Sequence, residues 1–172
     1  MSIKISGTGS FIPKNIIKND FFLDSEFYDK NGEPYPNSNK DIIEKFESIT
    51  GIKERRYADK NHNTSDLATL ASKEAIKDAG IDKEEIDYII LAHNFGEIDH
   101  GTNQYIALPS VATLVKHKLE IKNDNCVAYD IIFGCPGWVE GIIQAKAFIN
   151  SGMAKKCLVI GADTLSRTVD KN

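Results

Sequence analysis

Cys126-Val127-Ala128-Tyr129-Asp130-Ile131-Ile132-Phe133, the linker Gly134-Cys135-Pro136-Gly137 and the run from Gly137 to Ile149 decide the fold. Apart from Asp130, the first eight residues are β-branched, aromatic or otherwise apolar, which predicts a strand. The segment after the linker predicts a helix, and Pro136 suits its first turn, where the missing N–H had no partner anyway. A strand, a tight glycine-proline turn and a helix place the Cys135 thiol at a helix N-terminus. There the unpaired backbone N–H groups and the helix dipole favour the thiolate, the nucleophilic form of cysteine. Gly134 and Gly137 let the chain turn sharply and leave space for a group to approach the sulfur. The other reading is a buried structural cysteine, as most free cysteines are. The local sequence leaves both open.

On either side of this unit, strand and helix signals alternate. Ser2 to Pro13, with Ile3, Ile5, Phe11 and Ile12 around Gly7 and Gly9, predicts a glycine-interrupted strand that starts the sheet. Asp20 to Lys40 reads as an irregular excursion with a short helix, its aromatic residues packed to the body or covering a substrate tunnel. Ile42, Ile43, Phe46 and Ile49 recur at helical spacing and stop at Thr50-Gly51. A short strand, 52–58, follows. A helix from Thr64 or Ser65 buries Leu67, Leu70, Ala71, Ala75 and Ile76 before Gly80. Ile86 to His93 is almost continuously apolar, as in a strand covered on both faces. A long polar loop, 94–108, leads to Pro109-Ser110, which opens a helix through Val111, Leu114, Val115 and Leu119. A last strand is expected at 156–162. This order predicts an α/β layered domain with a partly parallel sheet.

The whole of 1–172 suits one domain with a real core and is too short for two of ordinary size. A net charge of −4 and lysines interspersed with acids argue against nucleic-acid binding. No window approaches the roughly 18 apolar residues of a membrane span, and the N-terminus lacks a signal-peptide pattern, so a cytoplasmic protein is expected. The three cysteines have no metal-ligand spacing and predict reduced thiols, with no bound metal or cofactor.

Several segments taken together resemble the N-terminal half of β-ketoacyl-acyl-carrier-protein synthase III, in the thiolase superfamily. They are Gly7-Thr8-Gly9-Ser10-Phe11-Ile12-Pro13, Thr50-Gly51-Ile52-Lys53-Glu54-Arg55-Arg56, Pro109-Ser110-Val111-Ala112, Asp130 through Gly137, Ser151-Gly152, and Leu158 through Arg167. The stretch between Asn15 and Asn39 is longer than the usual pattern. The resemblance implies a thiolase-like layered α/β/α fold, N-terminal half, with a mixed five-stranded sheet. It implies that Cys135 accepts an acyl group from acyl-coenzyme A, which is then condensed with malonyl-acyl-carrier protein in fatty acid or related biosynthesis. Acyl-coenzyme A and acyl-carrier protein are thus the implied substrate and partner. The N–H of Cys135 is implied as one oxyanion donor. The histidine and asparagine that assist decarboxylation belong to the second half of such proteins, so this segment alone is expected to be inactive in condensation.

The resemblance also implies lesser roles. Lys45-Phe46 stands where many members carry an adenine-stacking tryptophan, so Phe46 either stacks on coenzyme A or is core. Arg55 and Arg56 meet phosphate or carrier-protein anions, or ion-pair with nearby carboxylates. Leu108 either occupies the position that reaches across a homodimer to shape the partner's acyl pocket or is an ordinary core or loop leucine, and Val127 to Ile131 is the strand that pairs across that dimer. His93, ending a strand before the long loop, is placed at the substrate pocket, whereas His62, His100 and His117 read as solvated. Trp138 is expected to pack its helix, and Asp163 and Arg167 to be structural. A thiolase or hydroxymethylglutaryl-coenzyme A synthase-like enzyme and a non-catalytic assembly half are the alternatives.

Overall fold

A computed structural model describes residues 3–102 and 104–168. At its centre is β3, Tyr88–His93, whose residues Ile89, Ile90 and Leu91 have no exposed surface at all. Parallel neighbours flank it: β6, Val127–Ile132, on one side and β7, Cys157–Gly161, on the other. The register pairs Tyr88 with Val127 and with Cys157, and His93 with Ile132. Because successive side chains of a strand point to opposite faces, the apolar run of β3 supplies two cores at once.

One face carries α2, Thr64–Ala79, and α3, Val111–Lys118. Ile89 and Leu91 pack there with Ala68, Val111, Val115 and Leu119. The other face carries α4, Gly137–Asn150. Its small residues Gly137, Gly141 and Ala145, each one turn beyond the last, are buried and bring the helix close to the sheet. A Cβ at Gly141 would stand 2.8 Å from Val159 Cγ1 and 3.4 Å from Ile90 Cγ2. Helices on both faces of a parallel sheet make the layered α/β/α arrangement expected from the sequence.

The helix boundaries follow from their caps. In α1, Asn39–Thr50, the Ser38 hydroxyl accepts the Asp41 N–H and Gly51 ends the helix in the left-handed region at φ +68°. Asn63 and Asp66 form a reciprocal capping box on α2, and Ser110 caps α3. Between α1 and α2, β2, Glu54–Tyr57, pairs antiparallel with β1, Asn15–Lys18. The irregular excursion that follows β1 contains one short 3-10 turn, Asn19–Phe22.

Three expectations need correction. The main sheet is three-stranded and entirely parallel among the described residues, not mixed and five-stranded, and β1–β2 is a separate ribbon. The predicted first strand, of which Ser2 lies outside the described residues, forms no strand over 3–13 and pairs with no other strand among the described residues. Its backbone partners lie on a helix instead. The Thr8 N–H donates to Asp78 Oδ2 at 2.8 Å, and Gly7 and Gly9 pass against the backbone of α2. The long loop after β3 is not wholly irregular, since β4, Glu97–Ile98, and β5, Tyr105–Ile106, form a second small ribbon within it.

Candidate active site

In open parallel sheets, ligand sites gather beyond the carboxyl ends of the strands. That edge holds His93, which ends β3, and Asn94 after it, Phe133 to Cys135 after β6, and Ala162 and Asp163 after β7. Gly134 takes φ +69°, a left-handed turn that a side chain would strain. The Gly137 N–H then bonds back to the Gly134 carbonyl at 3.0 Å, and α4 begins. Cys135 stands exposed on this turn as a free thiol. The other two cysteines are placed against such a role. Burial, aided by Asp87, pushes the Cys157 thiol up to about 11. Burial likewise raises Cys126.

Behind the turn, two adjacent residues lock to two carboxylates, one on β6 and one just after β7. His93 is buried, and its Nε2 lies 3.1 Å from Asp130 Oδ2 on β6. Asp130 also accepts the N–H groups of Val111 at 2.7 Å and Ala112 at 2.8 Å, capping α3. Asn94 donates from its backbone N–H, at 3.0 and 3.1 Å, and from Nδ2, at 2.5 Å, to the carboxylate of Asp163. This leaves the Asn94 side-chain oxygen Oδ1 facing the cysteine turn, 3.6 Å from where a Gly134 Cβ would stand. Asp130, Asn94 and Asp163 were not separable from core polar residues in the sequence, because their partners lie far away along the chain.

Two cavities adjoin this edge. One, of about 400 Å³, is lined by Asn94, Phe95, Tyr105, Ile132 and Arg167. The larger, about 820 Å³, brings together Phe46, Arg55 and Arg56, the three residues expected to meet coenzyme A, with Phe11, Phe22 and the segment 161–166. Cys135 lines neither. Arg55 lies 5.0 Å from the Phe22 ring centre and 5.6 Å from that of Phe46, and donates to Asn19 Oδ1 at 3.1 Å. Arg56 is held by Glu54 Oε1 at 3.1 Å on the surface.

The other expected residues are placed as follows. Leu108 is 84% exposed. His93 lines neither cavity and faces Asp130 rather than open space. His62 is half-exposed with Nδ1 at 2.8 Å from Asp59 Oδ2, and His100 and His117 are exposed. Trp138 lies over Gly161, where an added Cβ would meet its Cδ1 at 3.3 Å. Arg167 donates to the carbonyls of Ile98, Asp59 and His62 and to Asn63 Oδ1, which ties the chain after β7 to the start of α2. No cluster of metal-ligating side chains occurs among the described residues.

Comparison with known proteins places this geometry. A family model described as 3-oxoacyl-[acyl-carrier-protein] synthase III matches residues 129–172, the segment holding most of β6, the cysteine turn, α4 and β7. The β-ketoacyl-[acyl-carrier-protein] synthase III of Neisseria meningitidis serogroup C is 41% identical over 98% of this chain and 46% of its own length. The corresponding protein of Staphylococcus haemolyticus is 37% identical over 99% of this chain and 47% of its own. The crystal structure of 3-oxoacyl-[acyl-carrier-protein] synthase III from Aquifex aeolicus superposes with a TM-score of 0.78 at 35% identity, covering 98% of this chain and 47% of that one. The chain spans about half the length of the curated relatives it matches. In sequence and in its thiolase-like fold, this chain corresponds to the N-terminal half of the β-ketoacyl-[acyl-carrier-protein] synthase III family.

Proposed function

We propose that this chain is the nucleophile-bearing half of an acyl-transferring condensing enzyme, with Cys135 as acyl acceptor. One observation carries the reading: an exposed thiol on the turn that opens α4, at the carboxyl edge of the parallel sheet. The Cys135 thiolate attacks the carbonyl of an acyl-coenzyme A, a C–S bond forms, and coenzyme A leaves as its thiolate. The N–H of Cys135 is one donor to the oxyanion of the tetrahedral intermediate. In the second step malonyl-acyl-carrier protein loses carbon dioxide and its carbanion attacks the acyl carbon. A C–C bond forms, the bond to Cys135 breaks, and the thiolate returns as the β-ketoacyl product departs for fatty acid biosynthesis.

The histidine and asparagine of that second step are assigned to the other half of the whole protein. The 172-residue chain by itself therefore loads the acyl group and does not condense it. Coenzyme A is assigned to the cavity with Phe46, Arg55 and Arg56, where Arg56 meets phosphate once released from Glu54. The outer edge of β6, which has no partner among the described residues, is assigned to a homodimer contact, with Leu108 reaching the partner's acyl pocket. His93 supports the substrate pocket from behind. A cytoplasmic location completes the reading; among the described residues no helix is long and apolar enough to cross a membrane.

The test is intact-mass spectrometry of the chain after incubation with short and medium acyl-coenzyme A thioesters, beside Cys135→Ala. An added acyl mass on the parent chain alone is expected. An adduct that persists in Cys135→Ala, or none on the parent, overturns the assignment.

A further inference from the structure

The carboxylate of Asp130 is approached from two parts of the chain that bracket a single excursion. His93 is the last residue of β3, immediately before the excursion begins at Asn94. Val111 is the first residue of α3, immediately after it closes at Ser110. His93 Nε2 and the Val111 N–H meet the same oxygen, Oδ2, at 3.1 and 2.7 Å, and the Ala112 N–H meets Oδ1 at 2.8 Å. Because Oδ2 already accepts a backbone N–H, the proton in the imidazole contact sits on Nε2. His93 Nδ1 is then left buried without a hydrogen-bond partner among the described residues. An apolar ring would fill the same space with no unpaired nitrogen. What histidine adds at this position is the bond to Asp130.

The excursion also folds over the ring. Gly96, at φ +70°, lies so near that a Cβ there would stand 3.3 Å from His93 Cε1. Asp130 itself sits on the strand that ends at the cysteine turn, five residues before Cys135. One carboxylate thus ties both ends of the Leu108-bearing excursion to the nucleophile's strand.

We infer that Asp130 is a positioning residue, which acts through His93 and the start of α3 to hold the excursion at 94–102 and 104–110, and Leu108 on it, in fixed relation to β6, the strand assigned to the homodimer contact across which Leu108 reaches the partner's pocket. The consequence for acyl selection rests on the proposed loading of Cys135. It deepens that reading by naming the side chains that hold Leu108 where it reaches the partner's acyl pocket.

The experiment pairs hydrogen exchange with loading on the 172-residue chain. His93→Phe keeps the ring volume and removes the donor; Asp130→Asn keeps the shape and replaces an acceptor with a donor. Loss of one charge-assisted hydrogen bond is expected to speed exchange in 94–102 and 104–110 by about tenfold, with α2 and α4 unchanged. It is also expected to change the ratio of loading rates for short and medium acyl-coenzyme A. Wild-type exchange in His93→Phe overturns the inference, as does faster exchange with an unchanged rate ratio, which reduces the contact to a structural tether. If Asp130→Asn does not fold, His93→Phe alone decides. If the parent chain loads no acyl group, the nucleophile reading fails, whereas the exchange rates still decide whether Asp130 holds the excursion.

Discussion

Gly9 and Ala75 are in backbone contact: a Cβ added to Gly9 would stand 2.9 Å from the Ala75 Cα and 2.5 Å from the Ala71 carbonyl oxygen. These neighbours are backbone atoms of α2 and cannot rotate aside. Gly9→Ala is therefore expected to destabilise the fold by about 1–3 kcal/mol, the usual cost of overpacking. Ser10→Ala, at an exposed neighbour, is expected to leave stability within about 0.5 kcal/mol of the parent. Urea midpoints for the two variants check this, and equal midpoints would remove the helix contact as the reason for glycine.

That contact also marks where sequence reasoning stopped. Helices α1, α2 and α4 and strand β3 were legible because apolar periodicity, caps and an unbroken apolar run are local signals. The role of Gly7 and Gly9 was not, since a glycine pair in an apolar segment reads as an interrupted strand whether its partner is a strand or a helix. The number of strands in the sheet failed for the same reason: pairing is decided between distant segments. At the site, Cys135 stood out from its own linker. Asp130 did not, because its meaning comes from His93, Val111 and Ala112, which approach from two other parts of the chain.

The three thiols are expected to separate by reactivity. Alkylation requires thiolate, and burial holds Cys157 neutral until the pH nears 11, with Cys126 displaced in the same direction. At pH 8, brief treatment with iodoacetamide should add one group to the folded chain and none to Cys135→Ala. Labelling of Cys157 should rise only in strongly alkaline solution. Equal labelling of Cys157 and Cys135 at pH 8, by peptide mapping, would contradict this order.

Lys118 links α3 to the first turn of α2, donating to Asp66 Oδ1 and Ser65 Oγ, each at 2.6 Å. Burial alone would raise the Asp66 carboxyl, but the Lys118 hydrogen bond and the Asn63 N–H outweigh it and leave it lowered from 3.8. A carboxyl lowered by folding contributes stability above its unfolded value and loses that contribution as pH falls through the folded one. Lys118→Met is expected to cost about 1 kcal/mol at pH 7. The gap should narrow on acidification below 3.8, leaving the share owed to Ser65. Urea midpoints at neutral and acid pH give the comparison, and a gap independent of pH would exclude Asp66 as the partner that matters.

The outward face of α4 makes the last prediction. While Gly137, Gly141 and Ala145 seat the helix on the sheet, Val139 and Ile143 face away and remain exposed. A helix apolar on both sides is ordinarily covered on both, and an uncovered apolar patch promotes association. The 172-residue chain is therefore expected to self-associate at micromolar concentration. Val139→Lys with Ile143→Lys should reverse this without loss of helix content, because neither residue belongs to the buried stripe. Light scattering with circular dichroism reads both properties together. A parent chain that stays monomeric would show that this face is tolerated in water, and a double variant that unfolds would show that it contributes to the core.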